Sequence, residues 1–292
     1  MIKYTTALLA VLFTTAVSAA EITPYGTFNY KWSHDENTSG VANDKLGDNG
    51  SKIGISITEE SLEGSSIGAF AKLEVGVDTD DDASNTFDSR LAYVGVSTDL
   101  GSISAGRQSH PYTDNVASTA SVFEVYGGSA SHSYASRSSN SLAYSNTIGS
   151  ISIDALTVVD GSSGQNNGWD AYEWSASTDI AGNTVSAGFA DDVVNDISYY
   201  GVSAITEVGP LSVASSYTIK DTTTDLSAYE VAATYKLLTV GYGDLEGTGN
   251  YKTVGVSKSL TKGLTVFAET QMADLDTGTD TTSWSIGSKF SF

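Results

Sequence analysis

Residues able to do acid–base or nucleophilic chemistry are few in this chain. Three histidines, His34, His110 and His132, all stand in polar stretches between alternating segments. A Ser–His or His–Asp hydrolase needs an imidazole fixed beside a partner carried on a regular element, and Ser109-His110 followed by Asp114 is the one candidate spacing. Metal-ligand spacings, phosphate-cradling glycine loops and cofactor motifs are missing, so no catalytic residue, metal or cofactor is expected and the chain does not read as an enzyme. The acidic run Asp78-Thr79-Asp80-Asp81-Asp82 reads as a solvated loop tip, with divalent-ion binding as the alternative. A formal charge of −21 repels nucleic acid and attracts cations.

The elements that would carry these residues are strands. Ile53, Ile55 and Ile57 interleave with Lys52, Gly54, Ser56 and Thr58. Ile67, Ala69, Ala71, Leu73, Val75 and Val77 interleave with Gly68, Phe70, Lys72, Glu74 and Gly76, and the same period of two returns over 211–220 and 283–292. Three prolines against 29 glycines and 16 tyrosines suit strands and turns better than helices. The pattern predicts about sixteen strands, near 22–33, 51–60, 65–78, 88–98, 101–109, 138–147, 150–159, 169–179, 184–193, 196–206, 211–220, 226–236, 237–244, 250–260, 263–272 and 281–292. Short turns such as 99–101, 181–183 and 261–263 alternate with longer polar connections at 35–50, 79–87, 110–136, 160–168 and 273–280.

Ahead of these strands, Lys3, an apolar stretch from Ala7 to Val17 and Val17-Ser18-Ala19 read as a secretory signal peptide over 1–19, leaving one domain at 20–292. The apolar stretch is shorter than the ~20 residues a spanning helix needs. No cysteine is present, so an exported fold of this size must be held by a core or by a closed hydrogen-bonded sheet. Strands with one greasy and one wet face close into a transmembrane antiparallel β-barrel, because lipid offers no partner to an open sheet edge. At about sixteen strands such a barrel encloses water. Tyr25, Tyr30, Trp32, Tyr93, Trp174, Tyr229, Tyr235 and Trp284, near strand ends, are candidates for interfacial girdles. Phe70 and Tyr200 are the candidates for an inward aromatic track, as a substrate-selective channel would carry.

The closing Gly287-Ser288-Lys289-Phe290-Ser291-Phe292 resembles the C-terminal signal read by the barrel-assembly machinery, with Gly287, Phe290 and Phe292 as its carriers. Further motifs resemble the general (trimeric) Gram-negative outer-membrane porins: Ala20-Glu21-Ile22 with Tyr25-Gly26; Ser51-Lys52-Ile53-Gly54; Ser89-Arg90-Leu91-Ala92-Tyr93-Val94-Gly95-Val96; Leu100-Gly101-Ser102; and Ala105-Gly106-Arg107-Gln108. Phe123-Glu124-Val125-Tyr126-Gly127-Gly128 is similar to a degenerate form of the family's loop element, and Arg137 through Tyr144 to the strand that follows. Thr27 departs from the pore-facing lysine of many relatives.

That resemblance implies an outer-membrane homotrimer in contact with lipid and lipopolysaccharide, passing small hydrophilic solutes, with Gly26, Gly54 and Gly287 allowing close approach of a second protomer. It implies that the third long connection, 110–136, folds inward, and that wall cations Lys52, Arg90, Arg107 and Arg137 face loop carboxylates Asp114 and Glu124 across a constriction. The charge imbalance adds the expectation of a moderate cation preference.

Overall fold

The computed structural model describes residues 20–37, 39–60, 65–80, 85–160, 168–278 and 280–292; the expected signal peptide lies outside them. Among the described residues seventeen strands follow one another: β1 Glu21–Glu36, β2 Ala42–Asp48, β3 Lys52–Glu59, β4 Gly68–Val77, β5 Phe87–Thr98, β6 Gly101–Ser109, β7 Arg137–Ile148, β8 Ile151–Val158, β9 Ala171–Ile180, β10 Asn183–Asp192, β11 Ile197–Val208, β12 Leu211–Asp221, β13 Leu226–Tyr235, β14 Leu238–Leu245, β15 Gly249–Ser259, β16 Leu264–Leu275 and β17 Asp280–Ser291. Apart from β2 and β3, which do not pair with each other, each strand pairs antiparallel with its sequence neighbour, and β17 returns to β1 from Thr27↔Ser291 to His34↔Trp284, so the sheet closes.

β2 and β3 occupy one place in the ring. β1 pairs with β2 from Tyr30↔Asp48 to Glu36↔Ala42, and with β3 from Glu21↔Thr58 to Thr27↔Lys52. The closed barrel therefore has 16 staves. The expected long connection at 35–50 is instead mostly a hairpin, its polar residues paired on the extension of β1 beyond the first turn of the ring. The connection expected at 273–280 shrinks likewise, since β16 runs to Leu275 and β17 starts at Asp280. Polar strands of this kind mimic loops in a sequence because both of their faces are wet.

Alternation sorts the side chains between two faces. On β17, Ser285 is 1% exposed and faces in, while its neighbour Ile286 is 46% exposed and faces out. Outward aromatics meet across strands at the end carrying the longer connections: Tyr172, Phe189 and Tyr200 form one run, with ring centroids 5.9 and 5.2 Å apart, and Trp32 meets Trp284 at 5.5 Å. Among the expected girdle residues, Tyr25 and Tyr93 are inward instead. Tyr25 bonds the inward Glu74, and Tyr93 stands opposite the inward Lys72. Tyr200 pairs with the outward Phe189, which removes it from any inner track, whereas Phe70 does face in, lying over Gly95.

The three glycines expected to serve a partner protomer are occupied within the chain. A Cβ on Gly26 would stand 2.5 Å from the Phe292 ring, on Gly54 2.5 Å from Tyr25, and on Gly287 2.3 Å from Phe267. Gly26 and Phe292 also exchange two backbone hydrogen bonds of 3.1 Å, and Phe28 stacks on Phe292 at 6.3 Å. The terminal ring thus seals the seam between first and last strands. Phe292→Ala should slow closure, seen as less heat-modifiable, folded protein on unheated gels; wild-type yield and mobility would remove Phe292 from the seam.

Candidate functional site

The inward face is polar, and its main occupant is the connection 110–136 between β6 and β7. It opens with a π-helical turn, Thr113–Ala117, whose residues Val116 and Ala117 join Tyr112, Ala190 and Tyr199 in a buried apolar cluster. That cluster lies between loop and wall, so the loop packs against β10 and β11 as a core element does.

Three wall glutamates fasten its backbone, each no more than 6% exposed. Glu173 on β9 accepts from the Tyr112 amide at 3.4 Å, and Glu230 on β13 from the Gly128 amide at 2.8 Å. Glu269 on β16 takes three successive amides, Glu124 at 2.6, Val125 at 2.9 and Tyr126 at 3.1 Å. Consecutive N–H groups converging on one carboxylate form an anion nest, and hydrogen bonds to a charged acceptor are the strong kind. Further ties run from Asn115 Nδ2 to Ser175 Oγ at 2.8 Å, from the His132 amide to Thr218 Oγ1 at 2.8 Å, and from the Tyr126 hydroxyl to Asp35 at 2.7 Å. The loop is thereby bound to staves from β9 round to β1.

Wall glycines make room for it. A Cβ on Gly201 would lie 2.8 Å from Val116 Cγ1, and on Gly188 3.0 Å from Tyr112. On Gly241 and Gly255 it would meet Phe123, at 2.7 and 3.1 Å. A backbone without side chains at these four positions forms the track in which the loop rests.

His110, fully buried, shows why the candidate relay fails. Its Nε2 lies 2.8 Å from Ser138 Oγ and its Nδ1 3.1 Å from Glu173, while the ring packs on Tyr134 at 5.3 Å. Neither Ser109 nor Asp114 is its partner; the Ser109 hydroxyl serves Asp114 instead. A completely covered imidazole, hydrogen-bonded to Ser138 at Nε2 and set against the Glu173 carboxylate on its other side, is an anchor for the start of the loop.

The expected wall cations separate into two groups. Glu74 receives Arg90 Nε at 2.6 Å and the Tyr25 hydroxyl at 3.1 Å, with Lys52 Nζ at 3.6 Å. Lys72 lies 5.1 Å over the Tyr25 ring, extending the basic stripe along the wall. Arg90 reaches this face through a bulge: Glu74 pairs with Leu91 and Val75 with Ser89, which leaves Arg90 as the extra residue, re-aimed inward. Arg137 opens β7 opposite Ser109, within electrostatic reach of Arg90, Glu74 and Asp114. Arg107 makes no contact with the Lys52–Glu74–Arg90 group, although it too lies within electrostatic reach of Arg137. It stands opposite Ala92, on the face shared with Leu73 and Val94, and its guanidinium donates to the Ser89 carbonyl at 3.0 Å and Ser139 Oγ at 3.2 Å.

The loop carboxylates differ as well. Crowding by the wall raises the Asp114 carboxyl above its ordinary range, opposed by the Ser109 hydrogen bond and by Arg137 and His110. Glu124 is paired with Lys289 of β17, and its carbonyl accepts from Asn49 Nδ2 at 2.9 Å. Glu74, Lys289 and the three fastening glutamates are the site residues that the sequence reading missed. Their one sequence signal is a charge at a wet-face position within a strand.

A closed 16-stave barrel with a loop bound across its interior has direct structural relatives. OmpT of Vibrio cholerae, folded in vitro and solved in a trimer form, superposes with a TM-score of 0.76 at 18% identity, over 94% of this chain and 100% of that one. The Salmonella typhi OmpF complex with daunomycin gives 0.75 at 16% identity, over 94% and 98%. A substituted porin of Rh. blastica gives 0.73 at 16%, over 93% and 100%. No curated protein matches the chain significantly. At such identities the structures speak for the fold, and the family is decided by the sequence model of Gram-negative porins, which matches residues 5–292. With nearly the whole chain matched and the porin fold present, this protein belongs to the Gram-negative porin family and is an outer-membrane channel protein.

Proposed function

We propose that the channel passes small hydrophilic solutes and ions by passive diffusion, with a moderate preference for cations, and that it works as a homotrimer. The observation that carries this reading is the bound loop: it occupies the lumen, and its Asp114 interacts with Arg137, which in turn is within electrostatic reach of Glu74 and Arg90. Opposite charges across a narrow aqueous gap orient dipolar solutes and disfavour apolar ones. The cation preference follows from 35 carboxylates against 14 basic residues. A negative potential in the lumen and mouth concentrates cations, fading as the Debye length falls from about 30 Å at 0.01 M to about 3 Å at 1 M salt.

Support for the trimer comes from the outer wall. On β3 to β5 it is mainly aliphatic, with Ile53, Ile55, Ile57, Leu73, Val94 and Val96 and, among the described residues, Phe87 as its one exposed aromatic, whereas β9 to β14 carry the belt expected of a lipid face. The trimer form of OmpT is in keeping with this. Light scattering in mild detergent tests it, and a monomer would count against it.

Reversal potentials under a KCl gradient in a planar bilayer test the channel reading. Wild type should prefer potassium, and Asp114→Asn with Glu124→Gln should move the ratio toward chloride by roughly two-fold, the effect of removing charge from a low-screening gap. An anion-preferring wild type refutes the charge argument, and an unmoved double variant takes both residues out of the constriction. Asp114 is open to the lumen but crowded by the wall, which raises its carboxyl, so it gains its proton at higher pH than a carboxylate on the outer loops. Cation preference should therefore begin to fall while the outer-loop carboxylates are still charged, a step missing from Asp114→Asn.

A further inference from the structure

We propose that Lys289 is a selectivity-determining residue, the counter-charge that cancels Glu124 at the tip of the inserted loop; this rests on the channel reading above. Lys289 lies on the inward face of β17, opposite Asn29 of β1 and Thr265 of β16, three residues from the end of the chain. Its ammonium pairs with Glu124 Oε1, the two side chains being 32% and 20% exposed, so the pair is partly desolvated but still open to the lumen.

The other charged groups around the tip are already engaged. Both oxygens of Glu269 accept loop amides, and Asp35 accepts the Tyr126 hydroxyl. Glu124 itself is placed by its amide on Glu269 and its carbonyl on Asn49 Nδ2, which hold the tip to β16 and the β2–β3 break without help from the ion pair. Lys289 therefore adds little to where the loop sits and much to its charge. Glu124, read from the sequence as a bare carboxylate facing the wall cations, forms with Lys289 a pair of no net charge, and each partner masks the other. Removing Lys289 uncovers a negative charge in the lumen; removing Glu124 uncovers a positive one.

Reversal potentials at about 0.1 M salt decide this, where the Debye length of about 10 Å leaves a single lumen charge effective across the gap. All proteins are folded from denaturant into detergent, so that the C-terminal assembly signal plays no part. Lys289→Gln should raise the cation-to-anion permeability ratio roughly two-fold, Glu124→Gln should lower it by a similar factor, and the double variant should return close to wild type because both charges are gone. Lys289→Arg keeps the charge and should leave the ratio unchanged. An unmoved ratio in Lys289→Gln, a double variant displaced as far as either single one, or an equal shift from Lys31→Gln, the neighbouring inward cation of β1, would overturn the assignment. If Lys289→Gln does not fold, the contrast between Glu124→Gln, expected to lower the ratio, and its charge-keeping partner Glu124→Asp, expected to leave it unchanged, still tests it: equal ratios in the two refute the masking. These shifts are differences, so an anion-preferring wild type that shows them would refute the general cation preference and leave the role of Lys289 standing.

Discussion

Glu269→Ala should free the tip of the inserted loop and give a channel with higher and noisier conductance. The substitution removes the acceptor of three consecutive amides, those of Glu124, Val125 and Tyr126. A hydrogen bond to a charged group contributes ~1.5–3 kcal/mol net, and lumen water can replace part of it, so the loss is on the order of 3 kcal/mol of docking free energy. At about 1.4 kcal/mol per factor of ten, that shifts the docked-to-released ratio about a hundredfold. Single-channel recording reads the opening, and limited proteolysis across 122–131 reads the release; the wild-type loop should resist cleavage there. Glu269→Gln keeps a carbonyl acceptor and should fall between the two. Conductance and cleavage identical to wild type would mean that the other ties hold the tip and that the nest is redundant.

Gly201→Val should displace the other end of the same loop while leaving the barrel intact. Its Cβ would lie 2.8 Å from Val116 Cγ1, 2.9 Å from the Tyr112 hydroxyl and 3.1 Å from Thr218 Cγ2, and both loop residues are completely buried. The strand cannot yield, because Gly201 is paired to Gly188 on one side and Thr218 on the other. Overpacking of this kind costs ~1–3 kcal/mol, and the loop is the part free to move. Valine suits a strand better than glycine, so the barrel's own stability should not fall. A larger exclusion limit in liposome swelling with unchanged heat-modifiability is the expected result. Gly149→Ala is the matching control: it changes a glycine at φ +65° with nothing within 4 Å of the new methyl, and should leave permeation alone. A Gly201→Val channel with wild-type permeation would show that Tyr112 and Val116 repack without moving the loop.

Much of the architecture can be read along the chain, because in lipid every backbone amide must find a partner within the sheet. That requirement turns a run of two-faced strands such as Lys52–Glu59 and Gly68–Val77 into a closed ring. Parity also assigns many side chains. Ile103, Ala105 and Arg107 share one parity on β6, so the outward place of Arg107 follows from strand periodicity, against the pore-facing place that its motif implies. The place of Arg90 does not follow in this way, since a bulge breaks the count just before it and only the pairing of β4 with β5 reveals the slip.

The site itself depends on groups far apart in the chain. Glu269 meets the loop tip across 143 to 145 positions, Glu230 meets Gly128 across 102, and Lys289 meets Glu124 across 165. In the sequence, Glu230 and Glu269 are ordinary wet-face carboxylates, Gly201 and Gly241 are weak strand residues, and Glu124 is a bare loop charge. Local periodicity fixes which face of the sheet a side chain takes. Closure of the ring alone decides which side chains then stand across the lumen from one another, and so which carboxylates bind the loop and which charges cancel.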